Sequence, residues 1–108
     1  MKSKWRKEIY IPFHKCKLII HIGEKGKEAF EEYIKSYDSE WKADVDYDGM
    51  QYLNRIWVED VKDHKILMHE IGHYIEWLYT ELYCEEESEF KACLFSHVLC
   101  SVIEVVTE

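Results

Sequence analysis

The chain has 108 residues and a formal net charge of −8, with 47% hydrophobic and 15% aromatic residues. This length and apolar content predict a single folded domain, residues 1–108, with room for one modest core. The negative charge argues against binding to a phosphate backbone and gives no attraction to anionic membranes. No apolar stretch approaches the length of a membrane span, so we expect neither a nucleic-acid nor a membrane partner.

The N-terminus and the cysteines bear on the cellular location. Residues 1–7 are basic and no apolar run follows them, so we interpret them as a tail and not as a signal peptide. The four cysteines contain no Cys-x-x-Cys pair, and we interpret them as reduced thiols. Both features predict a cytoplasmic protein.

The hydrophobic pattern predicts elements in the order β-β-α-β-β-α-α. The first strand covers residues 8–13, and the second covers Cys16–Ile22, where apolar residues alternate. An amphipathic helix is predicted over residues 27–37, with acidic residues on its outer side. His14 and His21 are interpreted as ordinary polar positions.

A hairpin and two helices are predicted in the second half. One strand covers residues 43–47, the turn lies at residues 48–49, and the return strand covers residues 50–58. Asp60 or Asp63 is expected to cap the helix that follows. The last helix is apolar on most sides, and we expect it inside the core because so small a chain needs it there.

The first of these two helices carries the sequence His69-Glu70-x-x-His73. Histidines four residues apart share one helix face and can supply two of the four tetrahedral ligands of one Zn²⁺. Glu70 cannot easily bind the same ion, but it can reach a water molecule bound to it, as a general base in metal-assisted hydrolysis must. The alternative is an amphipathic helix with two histidines on its polar face.

A third zinc ligand is expected downstream, because catalytic zinc commonly has three protein ligands and an open position. We choose Glu89, which opens the apolar last helix and is followed by small residues that permit close helix packing. Glu89 reaches the histidines only if their helix ends near residues 77–79. If that helix runs unbroken to residue 83, His97 lies beside His73 instead, so both candidates remain.

The HExxH sequence at residues 69–73, followed by ExxA at residues 89–92, resembles the gluzincin pattern of zinc peptidases. The resemblance extends to small members of that clan, such as the ImmA/IrrE-like peptidases and short zinc peptidases encoded in phage genomes. It covers roughly residues 50–106. The gap between the motifs is short, and Glu76 and Tyr79 stand where the metzincin branch has Gly and a third His.

The resemblance implies a minimal zincin-like α+β domain. Such a domain has a small, mostly antiparallel sheet, an HExxH helix and a C-terminal helix that bears a glutamate. The resemblance further implies one Zn²⁺ per chain, held by His69, His73 and Glu89. The activity that it implies is hydrolysis of peptide bonds by metal-activated water, with Glu70 as the general base.

The resemblance also implies how a substrate binds. A peptide or protein substrate is expected to lie along the strand that precedes the active helix, by strand addition. The residues of that strand that are expected to bind it are Tyr52, Asn54, Ile56 and Val58. An oxyanion-stabilising donor is expected as well, and its candidates are His97, Tyr79 and Tyr83.

A function of another class fits the same residues. On this hypothesis the protein is a zinc-containing, non-catalytic module with a zincin fold that binds a partner protein through its acidic surface. Glu70 argues against a purely structural zinc ion, because a structural site has no use for a base beside its ligand. Glu70 is compatible with both the peptidase and the binding module.

Overall fold

The protein is described by a computed structural model that covers residues 5–11, 16–42, 47–81 and 88–106. Within these ranges the elements are β1 (Arg6–Ile11), β2 (Cys16–Ile22), α1 (Gly23–Tyr37), β3 (Gly49–Tyr52), β4 (Arg55–Val58), α2 (His64–Glu81) and α3 (Ser88–Val106). The α+β class is confirmed, and the elements follow the order β-β-α-β-β-α-α, although the third and fourth strands do not lie where they were predicted.

The strands in the described ranges form one mixed sheet in the order β1-β2-β4-β3. β1 and β2 are antiparallel, with Ile9 opposite Leu18, and β3 and β4 are antiparallel, with Gln51 opposite Ile56. β2 and β4 are parallel, with Ile20 opposite Ile56. Parallel neighbours cannot be joined by a tight turn, and the chain between β2 and β4 contains α1. The sheet is therefore mostly antiparallel, as predicted.

Helices cover both faces of the sheet, because alternate strand residues point to opposite sides. α2 and α3 cover the face that carries Ile20, Ile56 and Val58. The helix residues buried against it are Leu67, Ile71, Tyr74, Ile75, Leu78, Leu94, Val98 and Val102. On the other face, α1 packs Phe30 and Ile34 against Trp57. The main core therefore lies between the sheet and the pair α2 and α3.

The predicted hairpin is placed differently in the structure. Its turn lies at Leu53 and Asn54, and Leu53 has a φ of 52°, the left-handed conformation that tight hairpin turns need. The single strand predicted over residues 50–58 is therefore split into β3 and β4, and the turn predicted at residues 48–49 is wrong. Most of the other predicted strand, residues 43–47, lies outside the described residues.

Two predicted boundaries near the N-terminus also change. β1 begins at Arg6, so the end of the predicted basic tail, residues 1–7, belongs to a strand. α1 begins at Gly23 instead of Lys27, because β2 leads directly into it. The Trp57 indole fixes this junction by donating a hydrogen bond of 2.7 Å to the Gly23 carbonyl.

The last helix belongs to the core, as predicted. Leu94, Val98 and Val102 are buried on its inner side. These residues belong to the same buried cluster as those of α2 and the sheet, so α3 packs against α2 in the main core. Among the helices that the structure describes, none combines the length and the apolar character needed to cross a membrane.

His21 is buried, contrary to the prediction that it is an ordinary polar position. Its ring is neighboured by those of Trp5 and Phe30, and only 1% of its surface is exposed. Its Nε2 lies 3.3 Å from Nη1 of Arg55 and accepts a hydrogen bond there, because a guanidinium is only a donor. Burial, with the charges of Arg55 and Arg6, lowers its pKa to about 4. His21 is therefore neutral in the folded protein at neutral pH.

Acid is expected to destabilise the protein through His21. In the unfolded chain a histidine takes up a proton near pH 6.5, whereas folded His21 does so only near pH 4. The free energy of unfolding therefore falls as the pH drops from about 6.5 to 4, by roughly 2–3 kcal/mol from this residue. Urea unfolding at a series of pH values measures the effect.

The variant His21→Gln should reduce this pH dependence, because it removes the group that titrates. His64→Gln is the control, since His64 is exposed. The assignment fails if both variants keep the pH dependence of the wild type.

Alanine substitutions at two glycines within helices test the helix packing, because one should lower the free energy of unfolding and the other should raise it. A Cβ at Gly26 would lie 2.9 Å from the carbonyl oxygen of Trp5 and 3.0 Å from the carbonyl carbon of His21. A Cβ at Gly72 would lie 4.0 Å from Phe95, an ordinary contact. Gly26→Ala should therefore lower the free energy of unfolding by about 1–3 kcal/mol, and Gly72→Ala should raise it by about 0.5–1 kcal/mol.

Denaturant unfolding of the two alanine variants measures both effects against the wild type. A Gly26→Ala protein as stable as the wild type would show that α1 does not approach β2 this closely. A destabilised Gly72→Ala protein would show that α3 lies nearer to α2 than the structure places it.

Candidate functional site

α2, the helix that carries the motif, begins where Asp63 caps its first turn. A carboxylate oxygen of Asp63 accepts a hydrogen bond of 3.3 Å from the Ile66 amide, and its carbonyl accepts one of 3.1 Å from the Leu67 amide. Of the two predicted candidates, Asp60 and Asp63, it is therefore Asp63 that caps the helix. The buried stripe of α2 then faces the sheet, which fixes the directions of the remaining side chains.

His69 and His73, here called the His pair, lie on the exposed side of α2. Their Nε2 atoms are 3.0 Å apart and their ring planes are perpendicular, at 90°. In a tetrahedral site with Zn–N distances of about 2.0–2.1 Å, two ligand nitrogens lie about 3.3 Å apart. The His pair therefore fits two positions on one zinc ion after a small shift of either ring.

Glu70 lies at the edge of the buried stripe and is 5% exposed. No described residue donates a hydrogen bond to it or forms an ion pair with it. Burial raises the pKa of its carboxyl group, against the opposite effect of His73 and His69. A buried carboxyl group without a donor is costly unless a ligand or water satisfies it. Glu70 is therefore suited to exchange a proton with a molecule beside it.

β3 passes directly beside Glu70 at Gly49. A Cβ at Gly49 would lie 3.0 Å from Cγ and 3.1 Å from Oε2 of Glu70, and 2.7 Å from Cγ2 of Ile66. A glycine is needed here because any side chain would displace one of these groups. Next to this contact lies a cleft of about 770 Å³ whose walls include Gly49, Ile66, His69 and Glu70. The side chain of His69, one of the two expected zinc ligands, and that of Glu70, the candidate base, therefore line the same cavity.

β4, which carries Ile56 and Val58 of the residues predicted to bind the substrate, has no free edge. β4 pairs with β2 on one side and with β3 on the other. Ile56 and Val58 have no exposed surface, Tyr52 packs on the α1 face of the sheet, and Asn54 lies in the hairpin turn. For Ile56 and Val58 the prediction of strand addition is therefore wrong, because both edges of β4 are paired. Tyr52 belongs to β3, the outer strand of the described sheet, and for Tyr52 it stays a prediction.

The length of α2 bears on the third zinc ligand. The helix continues to Glu81, past residues 77–79, where it would have to end for Glu89 to reach the histidines. In the sequence no Gly or Pro enforces an earlier end. Phe95 of α3 contacts α2 at Gly72, and Glu89 precedes Phe95 by six residues, about 9 Å along a helix. The middle of α3, rather than its first turn, therefore lies beside the motif.

The remaining candidates are only partly described. The backbone of Glu89 belongs to α3, but its side chain, like that of Tyr79 and like the whole of Tyr83, lies outside the described residues. His97 is described and exposed. In the described part of the chain, no three His, Cys, Asp or Glu side chains form a group that could hold a metal ion, so His97 does not complete a site with the His pair.

Comparisons of the chain with protein-family models, with curated proteins and with solved structures gave no match. The resemblance to gluzincins therefore depends on the motif residues alone. Any function has to be argued from the geometry of the His pair, Glu70 and the cleft.

The sequence reasoning missed the residues that shape this cleft. Asp48 and Gly49 form a dipeptide typical of turns, yet they lie at the start of β3 and line the cleft. Met68 and Phe95 line it as well. A glycine inside a strand marks a close approach of another group, and this signal could have located Gly49.

The purified protein should bind about one Zn²⁺ per chain, and His69→Ala or His73→Ala should abolish the binding, because each removes one of two converging nitrogens. His64→Ala is the control, since it removes an exposed histidine at the start of the same helix. Titration calorimetry with a zinc salt measures stoichiometry and affinity. Unchanged zinc binding in both His-pair variants would rule out the site.

The same titration compares the candidates for the third ligand. Glu89→Ala should weaken zinc binding more than His97→Ala if the first turn of α3 reaches the ion. A larger effect of His97→Ala would assign the ligand to the middle of α3.

Proposed function

We propose that the protein is a zinc-dependent metallopeptidase of gluzincin-like type. One observation carries the proposal: the Nε2 atoms of the His pair converge beside Glu70, a buried carboxyl group that lines an open cleft and has no donor among the described residues. An amphipathic helix with two surface histidines would explain neither the burial of Glu70 nor the glycine that makes room for it. Both features are explained if the cleft binds a molecule that reacts there.

In this proposal His69 and His73 bind the zinc ion through Nε2, and a residue of α3 supplies the third ligand. When bound, zinc supplies Lewis acidity, which activates a water molecule and polarises the carbonyl of the scissile bond. Each histidine must be neutral to serve as a ligand, so zinc and protons compete for the same nitrogens. Glu70 then carries out the proton transfers.

Glu70 acts first as a base and then as an acid. Its Oε2, which lies against Gly49, takes the proton of the attacking water and later delivers it to the leaving amine. Burial raises the pKa of the Glu70 carboxyl group and so helps Glu70 to hold the proton between the two steps. Its low exposure also limits exchange of that proton with bulk water.

The substrate is proposed to be a peptide segment that lies in the cleft beside β3 and α2. Ile66, Met68 and Phe95 offer it apolar contacts along the walls. A cleft on so small a domain suits an extended segment better than a deeply inserted side chain. We place this activity in the cytoplasm, where the cysteines stay reduced.

Glu70→Gln tests the proposal. Glutamine has nearly the same shape but cannot take up the proton, so peptide hydrolysis should fall by about two orders of magnitude or more, while zinc binding and fold persist. Zinc-loaded wild type and variant are each incubated with a broad peptide library, and mass spectrometry identifies the products. Glu76→Gln, the same change at an exposed position of the same helix, should leave hydrolysis unchanged.

Two results would contradict the peptidase. The zinc-loaded wild type could leave the whole library intact, or Glu70→Gln could cleave as fast as the wild type. The first result would favour the zinc-containing, non-catalytic module that binds a partner protein, and the second would show that Glu70 is not the base.

A further inference from the structure

A second cavity, here called the acidic depression, lies next to the cleft beside Glu70. It has a volume of about 460 Å³ and is lined by Asp48, Glu59, Asp60, Asp63 and Ile66. Asp48, Asp63 and Ile66 also line the first cleft. The two cavities therefore share a wall, and all described residues that line the acidic depression are acidic except Ile66.

The fold brings these four carboxylates together from the ends of three elements. Asp48 precedes β3, Glu59 and Asp60 follow β4, and Asp63 precedes α2. The antiparallel pairing sets the start of β3 beside the end of β4, and the Glu59 amide donates a hydrogen bond of 3.1 Å to the Asp48 carbonyl. Asp60 and Asp63 each accept a hydrogen bond from a nearby backbone amide. The carboxylates of Asp48 and Glu59 have no partner among the described residues.

Glu70 gives separate evidence that a ligand enters the cleft next to the acidic depression. It is 5% exposed, lines the first cleft and has no donor among the described residues. A group of this kind is normally satisfied by a bound molecule or by water. Four carboxylates around one depression also repel one another, and a bound cation relieves that repulsion.

We propose that the acidic depression is the specificity subsite for a lysine or arginine side chain of the substrate. This inference rests on the proposed peptidase function and names the class of peptide that the site takes. The aliphatic stem of the basic residue would lie on Ile66, the apolar wall common to both cavities. Its charged end would then reach Asp48 and Asp63, while the adjacent peptide bond stays beside Glu70.

A metal ion is a poorer occupant of the acidic depression than a basic side chain. Calcium needs six or more oxygen ligands that converge on one point, and the described residues contain no group of three acidic, His or Cys side chains that could hold a metal ion. A long cationic side chain needs only a negative potential and an apolar surface for its stem. The acidic depression provides both.

Binding of two labelled peptides tests the subsite without requiring hydrolysis. The peptides are identical except that one has lysine where the other has norleucine, and fluorescence anisotropy measures their affinity for the Glu70→Gln protein. The lysine peptide should bind about fivefold more tightly or better, with a preference that weakens at high salt. Adding Asp48→Asn should reduce the preference by about twofold to fivefold.

Glu32→Gln provides the matched control, because it removes one exposed carboxylate from α1 on the other face of the sheet. It should leave the lysine preference unchanged. Equal affinity for the two peptides would overturn the subsite. So would an equal loss of preference in the Asp48→Asn and Glu32→Gln proteins, because the preference would then reflect only the net charge.

Failure of the subsite and failure of the peptidase give different results. If the lysine peptide is preferred but the wild type cleaves nothing, the acidic depression remains a site for basic segments and the peptidase proposal is wrong. If the wild type cleaves peptides without enrichment of lysine or arginine near the cut bond, and binds both probes alike, the peptidase remains and the subsite is wrong.

Discussion

The packing of α2 against the hairpin of β3 and β4 determines both the core and the candidate site. Leu67 and Ile71 of α2 are buried with Ile56 and Val58 of β4, which sets the rotation of the helix about its axis. Each residue of a helix is rotated by about 100° from the last. A rotation by one residue would therefore move Glu70 into the apolar core and break the core contacts. The burial of the stripe thus keeps the His pair in solvent and Glu70 at the boundary.

Glu70 and His21 show how access distinguishes a buried group that a ligand can reach from one that it cannot. Both are buried, and burial favours the neutral form of each by raising the pKa of Glu70 and lowering that of His21. His21 accepts a hydrogen bond from Arg55 and lies among aromatic rings on the α1 face. Glu70 has no donor in the described part of the chain and opens into a cleft on the opposite face. Only Glu70 can therefore exchange a proton with a bound molecule without unfolding.

Local patterns in the sequence were sufficient for the elements that carry the site. The second strand was predicted with its observed bounds, Cys16–Ile22, because apolar residues alternate there. The helical spacing of Leu67, Ile71 and Ile75 located α2 and the side that it buries. The His pair follows from that helix geometry alone, since residues four apart share a face.

Contacts between distant parts of the chain were not predictable in the same way. The hairpin turns at Leu53 without a Gly or Pro to mark it, whereas the turn signal at Asp48 and Gly49 lies at a strand start. The role of Gly49 depends on its approach to Glu70, 21 residues away in the sequence. The burial of His21 similarly depends on the close approach of α1 at Gly26. Such contacts come from tertiary packing, which periodicity does not encode.

A crystal structure of the zinc-loaded protein, with anomalous scattering to locate the ion, is the most direct test of the site. The account predicts one zinc ion bound by Nε2 of His69 and Nε2 of His73, each at about 2.0–2.1 Å. The carboxyl group of Glu70 should face the cleft without binding the ion. Zinc coordinated by Glu70, or zinc bound elsewhere while the His pair stays free of metal, would contradict the account.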